Sequence, residues 1–267
     1  MKKIRVAAVQ LNCELGDKQK NLTHAEGLIS EAAEKGATLV VLPELFNTGY
    51  RVEERDFELA EKIPGDTTDW MVSIARKYGV VLIGCILEKG ITNGVIYDTS
   101  VVVNETEILG TYRKTHLWDM ENVRFTKGAD FPVIDLGFAR IGMQICYEVG
   151  FPEGARILTY KGADLIVYPS AFGKARHYAW DIATRARALE NGCFIIAANR
   201  TGQEKETEFG GYSRIVNPQG SVLEEADEEN QVIITEIDLA EVVEQRSSIP
   251  YLRDLYKPII AKEFSSF

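Results

Sequence analysis

Three residues whose types suit covalent catalysis stand at the ends of apolar runs: Glu44 after TLVVLP, Lys114 at the close of EILGTYRK, and Cys146 after ARIGMQI. A charge in such a setting is expensive unless it is paired or put to use. The chemistry these types could share is nucleophilic acyl transfer. A thiol with a pKa near ~8.5 is mostly protonated at neutral pH, so attack by its thiolate requires a base or a neighbouring cation. Taken alone, each residue also fits a plainer role. The cysteine suits a small core hydrophobe, the glutamate a helix cap or rim carboxylate, and the lysine a solvated strand end. Composition and spacing do not by themselves join the three into one site.

Three sequence blocks do join them. LPELFNTGY, YRKTHLW and ICYEVGFPE, in this order and at these separations, resemble the signature blocks of the nitrilase superfamily, the carbon–nitrogen hydrolases. The resemblance runs from VAAVQLN through ARALENGCFIIAANRTG and GGYSRIVNPQG to IPYLRDLY, which is nearly the whole chain. It implies a catalytic triad of Glu44, Lys114 and Cys146. Glu44 would take the thiol proton, return it to the departing amine, and then activate water to hydrolyse the thioester. Burial should raise the pKa of this carboxyl while Lys114 pulls it down. The resemblance assigns the oxyanion donors to the Lys114 ammonium and the Tyr147 backbone N–H. It maps a second family glutamate onto Glu121 in HLWDMEN, with Asp119 as the neighbouring alternative, and places Trp180 near the substrate pocket. A tryptophan at the start of an amphipathic helix reads equally well as core. One departure is visible: Glu148 stands where the family often has aspartate, and its extra methylene could shift the backbone or reach into the pocket.

The superfamily acts on nitriles, aliphatic amides, ω-amides of dicarboxylates and N-carbamoyl amines without a cofactor. The blocks look more like its amidase and carbamoylase branches, so the expected reaction turns a small amide into an acid plus ammonia. An ω-amidase or an N-carbamoyl amidohydrolase is the alternative. The ω-amidase alternative draws on RSSIPYLRDLY and ALENG, and would need a cation for the substrate carboxylate, such as Arg176 or Arg185. A catalytically silent binding protein of the same fold is the alternative from another class, and the intact triad argues against it. A metal-dependent hydrolase finds little support, because His24, His116 and His177 form no HxH or HExxH pattern and no carboxylate cluster is visible. The resemblance further implies a four-layer αββα sandwich and a homodimer or higher assembly.

The elements that must position these residues alternate. β-branched runs begin at Ile4, Thr38, Val80, Tyr97, Ala139, Ala163, Cys193 and Gln231. Between several of them lie helical patterns over 18–35, 67–78, 152–161 and 176–191, each followed by a terminating glycine. Runs such as LVVL and LIVYPS are apolar nearly throughout, as in strands covered on both faces, so the reading is an α/β layered sandwich. The strand-rich stretch from Val80 to Lys114 predicts hairpins. No linker or repeat divides the chain, which reads as one domain over 1–267, with the rather apolar tail from about 247 onward expected at a dimer interface.

The 267 residues carry a formal charge of −10, which opposes a nucleic-acid partner because phosphate binding needs clustered Lys and Arg. No apolar stretch approaches the length of a membrane span. The N-terminal run is too short and too interrupted for a secretory signal. Cys13, Cys85, Cys146 and Cys193 form no CxxC pair, which suggests free thiols in a reducing cytosol.

Overall fold

The alternation of β-branched and amphipathic segments becomes two stacked sheets with helices outside. The structure, a computed structural model, describes residues 3–266; Met1, Lys2 and Phe267 of the expected domain and tail lie outside the described residues. In chain order the strands are β1 (Lys3–Gln10), β2 (Leu39–Val41), β3 (Val81–Lys89), β4 (Ile96–Val103), β5 (Ile108–Arg113), β6 (Val133–Asp135), β7 (Arg140–Met143), β8 (Leu165–Ser170), β9 (Phe194–Asn199), a small hairpin β10 (Gln203–Glu204) and β11 (Thr207–Glu208), then β12 (Arg214–Val216), β13 (Val222–Glu225) and β14 (Gln231–Asp238). One six-stranded sheet runs β14-β1-β2-β3-β4-β5 and the other β13-β12-β9-β8-β7-β6. Each has three parallel strands at its centre, β1-β2-β3 and β7-β8-β9, flanked by antiparallel ones.

Side chains alternate across a strand, so a strand apolar at every position must be covered twice. In β1 and β2, Val6, Ala8, Leu39 and Val41 face the second sheet, where they join Leu165, Val167, Ile195 and Ala197 in one buried cluster. Their neighbours Ala7, Val9 and Val40 face the other way, onto Ile29 and Ala32 of helix Lys18–Glu34 and Met71 and Ile74 of helix Asp66–Tyr78. Helices Pro152–Tyr160 and His177–Asn191 cover the second sheet, with Ala155, Leu158 and Ala188 in its cluster. The layers are therefore helix, sheet, sheet, helix. Helix Asp66–Tyr78 ends on Gly79, whose φ of 66° is the left-handed cap conformation that a side chain would disfavour.

Three strand readings change. The run from Thr38 leaves the sheet after Val41, because Pro43 lacks the N–H that a further ladder bond would need. The run from Ala139 ends at Met143, so Cys146 opens a 3-10 turn (Cys146–Gly150) instead of closing a strand. The short strands β6, β12 and β13 lacked a long enough β-branched run to be read. The hairpins expected between Val80 and Lys114 are β3-β4 and β4-β5. Among the described residues no helix is long and apolar enough to cross a membrane.

Candidate active site

The loops that leave the carboxyl ends of β2, β5 and β7 converge. Glu44 follows β2 and is wholly buried; its Oε2 accepts the Ala171 N–H at 2.8 Å, from the loop after β8. Leu45, next in line, takes a φ of 50°, which turns the chain away and leaves the carboxylate pointing inward. Lys114 follows β5 directly, its backbone N–H tied to the Asp98 carbonyl at 2.9 Å. Its ammonium, also wholly buried, donates to Glu44 Oε1 at 2.6 Å and Glu121 Oε1 at 2.8 Å, and stands 3.5 Å from Asp98 Oδ2. Cys146 adopts a φ of 49°, a left-handed conformation that costs a residue bearing a side chain about 1–3 kcal/mol. Its buried thiol lies within electrostatic reach of Glu44, Lys114 and Glu121.

That strained turn is held by a neighbour. Glu148, wholly buried, accepts hydrogen bonds from the Ile145 N–H (2.8 Å), the Thr115 N–H (2.9 Å) and hydroxyl (2.6 Å), the His116 N–H (3.0 Å) and the Tyr112 hydroxyl (2.7 Å). One carboxylate thus pins the backbone beside Cys146 to the backbone beside Lys114. At the open end of the same turn, the Tyr147 N–H has no acceptor among the described residues, as the first N–H groups of any helical turn lack one.

The protonation states follow from charge and burial. Burial pushes the Glu44 carboxyl up, but the charge and hydrogen bond of the Lys114 ammonium bring it below the ordinary carboxylate value. Burial and the adjacent Glu44 charge drive the Cys146 thiol well above its usual value, and Lys114 offsets only part of that. The resting pair is therefore a thiol facing an ionised carboxylate. Burial lowers the Lys114 pKa, but Glu121, Glu44 and Asp98 together raise it well above normal, which keeps the ammonium charged. Burial pushes Glu121 up as well, against the pull of Lys114.

Cys146 opens onto a cavity of about 680 Å³. Trp118, Tyr147 and Phe172 give it an aromatic wall, and Arg51, Arg124 and Arg176 bring positive charge. Arg51 is engaged by Glu53 and Glu206, and Arg124 by Asp56. Arg176 lies over the rings of Trp118 (4.4 Å) and Phe172 (5.5 Å), with no carboxylate in ion-pair range among the described residues. The site therefore opens a thiol to a small molecule entering from solvent, with a carboxylate and an ammonium buried behind it.

This geometry coincides with a family match: the profile described as carbon-nitrogen hydrolase covers residues 5–247. The chain belongs to the carbon–nitrogen hydrolase family. It is 42% identical over 262 residues to a protein named nitrilase from Pyrococcus abyssi, covering 95% of this chain and 96% of that one. It is 37% identical over 272 residues to a protein named omega-amidase NIT2 from Xenopus tropicalis, covering 96% and 98%. Among solved structures, a carbon–nitrogen hydrolase from Helicobacter pylori G27 superimposes with a TM-score of 0.93 at 30% identity, covering 98% of this chain and 99% of that one. A double mutant of the amidase from Nesterenkonia sp. AN1, in complex with acrylamide, superimposes with a TM-score of 0.87 at 27% identity, covering 97% and 96%.

Within this carbon–nitrogen hydrolase the fold brings together Glu44, Lys114, Cys146 and Glu121, residues that the sequence disperses over a hundred positions. Asp119, the alternative to Glu121, and Glu121 both line the cavity, and it is Glu121 that holds Lys114. Trp180 is buried one layer behind the cavity, packed on Phe172 (5.3 Å), with its indole N–H donating to the Tyr212 carbonyl. Glu148 does not reach the cavity. Arg185 donates to the Gly220 carbonyl and is absent from the wall.

Two residues escaped the sequence reading. Asp98 carries a signal in hindsight, a carboxylate inside the strand YDTSVVV, where a buried charge needs a partner. Tyr50, whose hydroxyl donates to Glu121 Oε1 at 2.7 Å, carries none. The expectation of no carboxylate cluster is also corrected: Glu44, Asp98 and Glu121 place oxygens within 4.8 Å of one another. These ligand types could hold a cation, and the Lys114 ammonium takes that place between Glu44 and Glu121.

Proposed function

We propose that this protein hydrolyses a small amide to a carboxylic acid and ammonia through a thioester on Cys146. The observation that carries this reading is the buried Glu44 carboxylate, held by Lys114 and within electrostatic reach of the Cys146 thiol that lines an open cavity. Glu44 accepts the thiol proton as sulfur attacks the amide carbon. It passes that proton to the leaving nitrogen, so ammonia departs as a neutral molecule. A water then attacks the thioester with Glu44 as its base, releasing the acid. The Lys114 ammonium and the unengaged Tyr147 N–H are the donors for the oxyanion in both steps, and Glu121 holds Lys114 in place. An amide is favoured over a nitrile by the acrylamide held in the related Nesterenkonia amidase. Four unpaired, buried thiols suit a reducing cytosolic setting.

A narrower reading is favoured by Arg176, the cavity arginine left without a carboxylate partner. An amide whose far end carries a carboxylate, the ω-amide class, would supply that partner, consistent with relatives named omega-amidase. The test is ammonia release across short amides, ω-amides, N-carbamoyl compounds and nitriles, with mass spectrometry of the enzyme. Acylation confined to Cys146 is expected, and undiminished turnover by Cys146→Ala would remove the mechanism. Arg176→Gln should raise KM for ω-amides roughly 10- to 100-fold, the value of a charge-assisted hydrogen bond, and leave neutral amides unchanged. Equal effects on both substrate types would remove the narrower reading.

We also infer that the 1–267 chain acts as one domain whose tail meets a second copy. Tyr251, Tyr256, Ile259, Ile260 and Phe264 stand exposed along that tail, an apolar surface that association would cover. A monomeric mass in sedimentation would remove this inference.

A further inference from the structure

Asp98 is a buried carboxyl that the mechanism above does not use. It projects from β4, wholly shielded from solvent, into the group formed by Glu44 beyond β2, Lys114 beyond β5, Glu121 at the start of the turn Glu121–Arg124, Cys146 beyond β7, and Cys85 on β3. Three carboxyls share one ammonium there. If all were ionised, two negative charges would be left without a counter-ion in a region closed to water, an arrangement that a retained proton relieves.

The hydrogen bonds say which carboxyl retains it. Glu44 accepts from Lys114 at 2.6 Å and from the Ala171 N–H at 2.8 Å. Glu121 accepts from Lys114 (2.8 Å), the Tyr50 hydroxyl (2.7 Å) and the Trp118 N–H (2.8 Å). Asp98 has none of these strong donors. Its Oδ1 accepts only the weak S–H of Cys85 at 2.8 Å, and its Oδ2, with no donor partner, stands 3.5 Å from the Lys114 nitrogen. The Asp98 and Glu44 carboxyls instead bring oxygens within 4.8 Å of one another. Two bare carboxylates repel at so short a separation, and a single proton between them makes the approach attractive.

We propose that Asp98 is held neutral and donates its proton as a hydrogen bond to the Glu44 carboxylate, which makes it the positioning residue for the base. Burial and the Glu44 charge both push the Asp98 carboxyl well above its ordinary value, with Lys114 offsetting only part, in keeping with this assignment. The neutral acid orients Glu44 toward the thiol and stabilises its ionised form without adding charge. Cys85, whose thiol is itself driven far up by burial, stays an S–H donor to the other oxygen.

The position of the proton is independent of the catalytic reading, while the role of Asp98 rests on Glu44 being the base. Two measurements separate them. Infrared spectroscopy of the resting enzyme should show a protonated-carboxyl stretch that shifts in heavy water and vanishes in Asp98→Asn. Absence of that band, or its persistence in the variant, overturns the assignment whatever the substrate. In kinetics, Asp98→Asn keeps a neutral N–H donor toward Glu44 and should hold kcat within about 3-fold, whereas Asp98→Ala should lower kcat by roughly 10²-fold with KM little changed, the cost of a misplaced base. Wild-type kcat should fall on the alkaline side as Asp98 ionises, and the Asn variant should lose that limb. If Asn is as damaging as Ala and the limb stays, Asp98 works as an anion and the proposal fails.

Stability offers a further reading. Folded Asp98 keeps a proton that the unfolded chain releases above about pH 4, so wild-type stability falls relative to Asp98→Asn as pH rises. A Tm difference that does not grow in favour of the variant between pH 5 and pH 8 also counts against the proposal.

Discussion

Two buried carboxylates, both wholly shielded and both near Cys146, are held in opposite ways. Glu148 is surrounded by neutral donors, with Ile145, Thr115, His116 and Tyr112 supplying backbone N–H or hydroxyl groups, and among the described residues no lysine or arginine pairs with it. Glu44 shares a single ammonium with two further acids and lies within electrostatic reach of a thiol. The first arrangement is satisfied and static: every donor has its acceptor, and the carboxylate joins two loops as a structural pin. The second is short of positive charge, so its protons can move. A buried group with its bonds filled builds the frame, and one left with competing partners can do chemistry.

The comparison breaks first at Glu44. Glu44→Gln keeps the shape but cannot accept the thiol proton, so single-turnover acylation should slow by roughly 10³-fold with Tm little changed. Rapid thioester formation would move the base elsewhere and erase the contrast with Glu148.

Glu148→Ala should do the reverse in character. It strands several buried donors, so unfolding free energy in urea should drop by about 3–5 kcal/mol, with activity lost through the collapse of the Cys146 turn. A variant of wild-type stability that is inactive would mean that Glu148 also belongs to the chemistry.

The smallest effect sharpens the boundary. Tyr50→Phe removes one hydrogen bond to Glu121 and should cost about 1–2 kcal/mol, seen as a kcat decrease of roughly 10-fold with Lys114 less firmly held. An unchanged kcat would place Tyr50 with the frame.

Much of this molecule was legible in its residues. The periodicities located most of the strands and the four helices that cover the sheets, because each had to bury an apolar face and the patterns of two and three to four record that need. Glu44, Lys114, Cys146 and Glu121 were legible because the blocks around them resemble a known family. Shorter elements were not: β12 is three residues long and is defined by its partners β9 and β13, which no local pattern specifies.

What the sequence by itself determined is the set of groups and the helical and strand segments, since both are written in residue type and local spacing; the four-layer order was implied by the family resemblance. Only the tertiary structure decided which charges meet. Asp98 lies inside one strand and Tyr50 in a loop far from Lys114 in sequence, and nothing local marks either as its neighbour. The same holds for Glu148, whose extra methylene left two readings open until its donors were seen. Pairing between buried charges is set by distances across sheets, and those distances exist only once the layers have stacked.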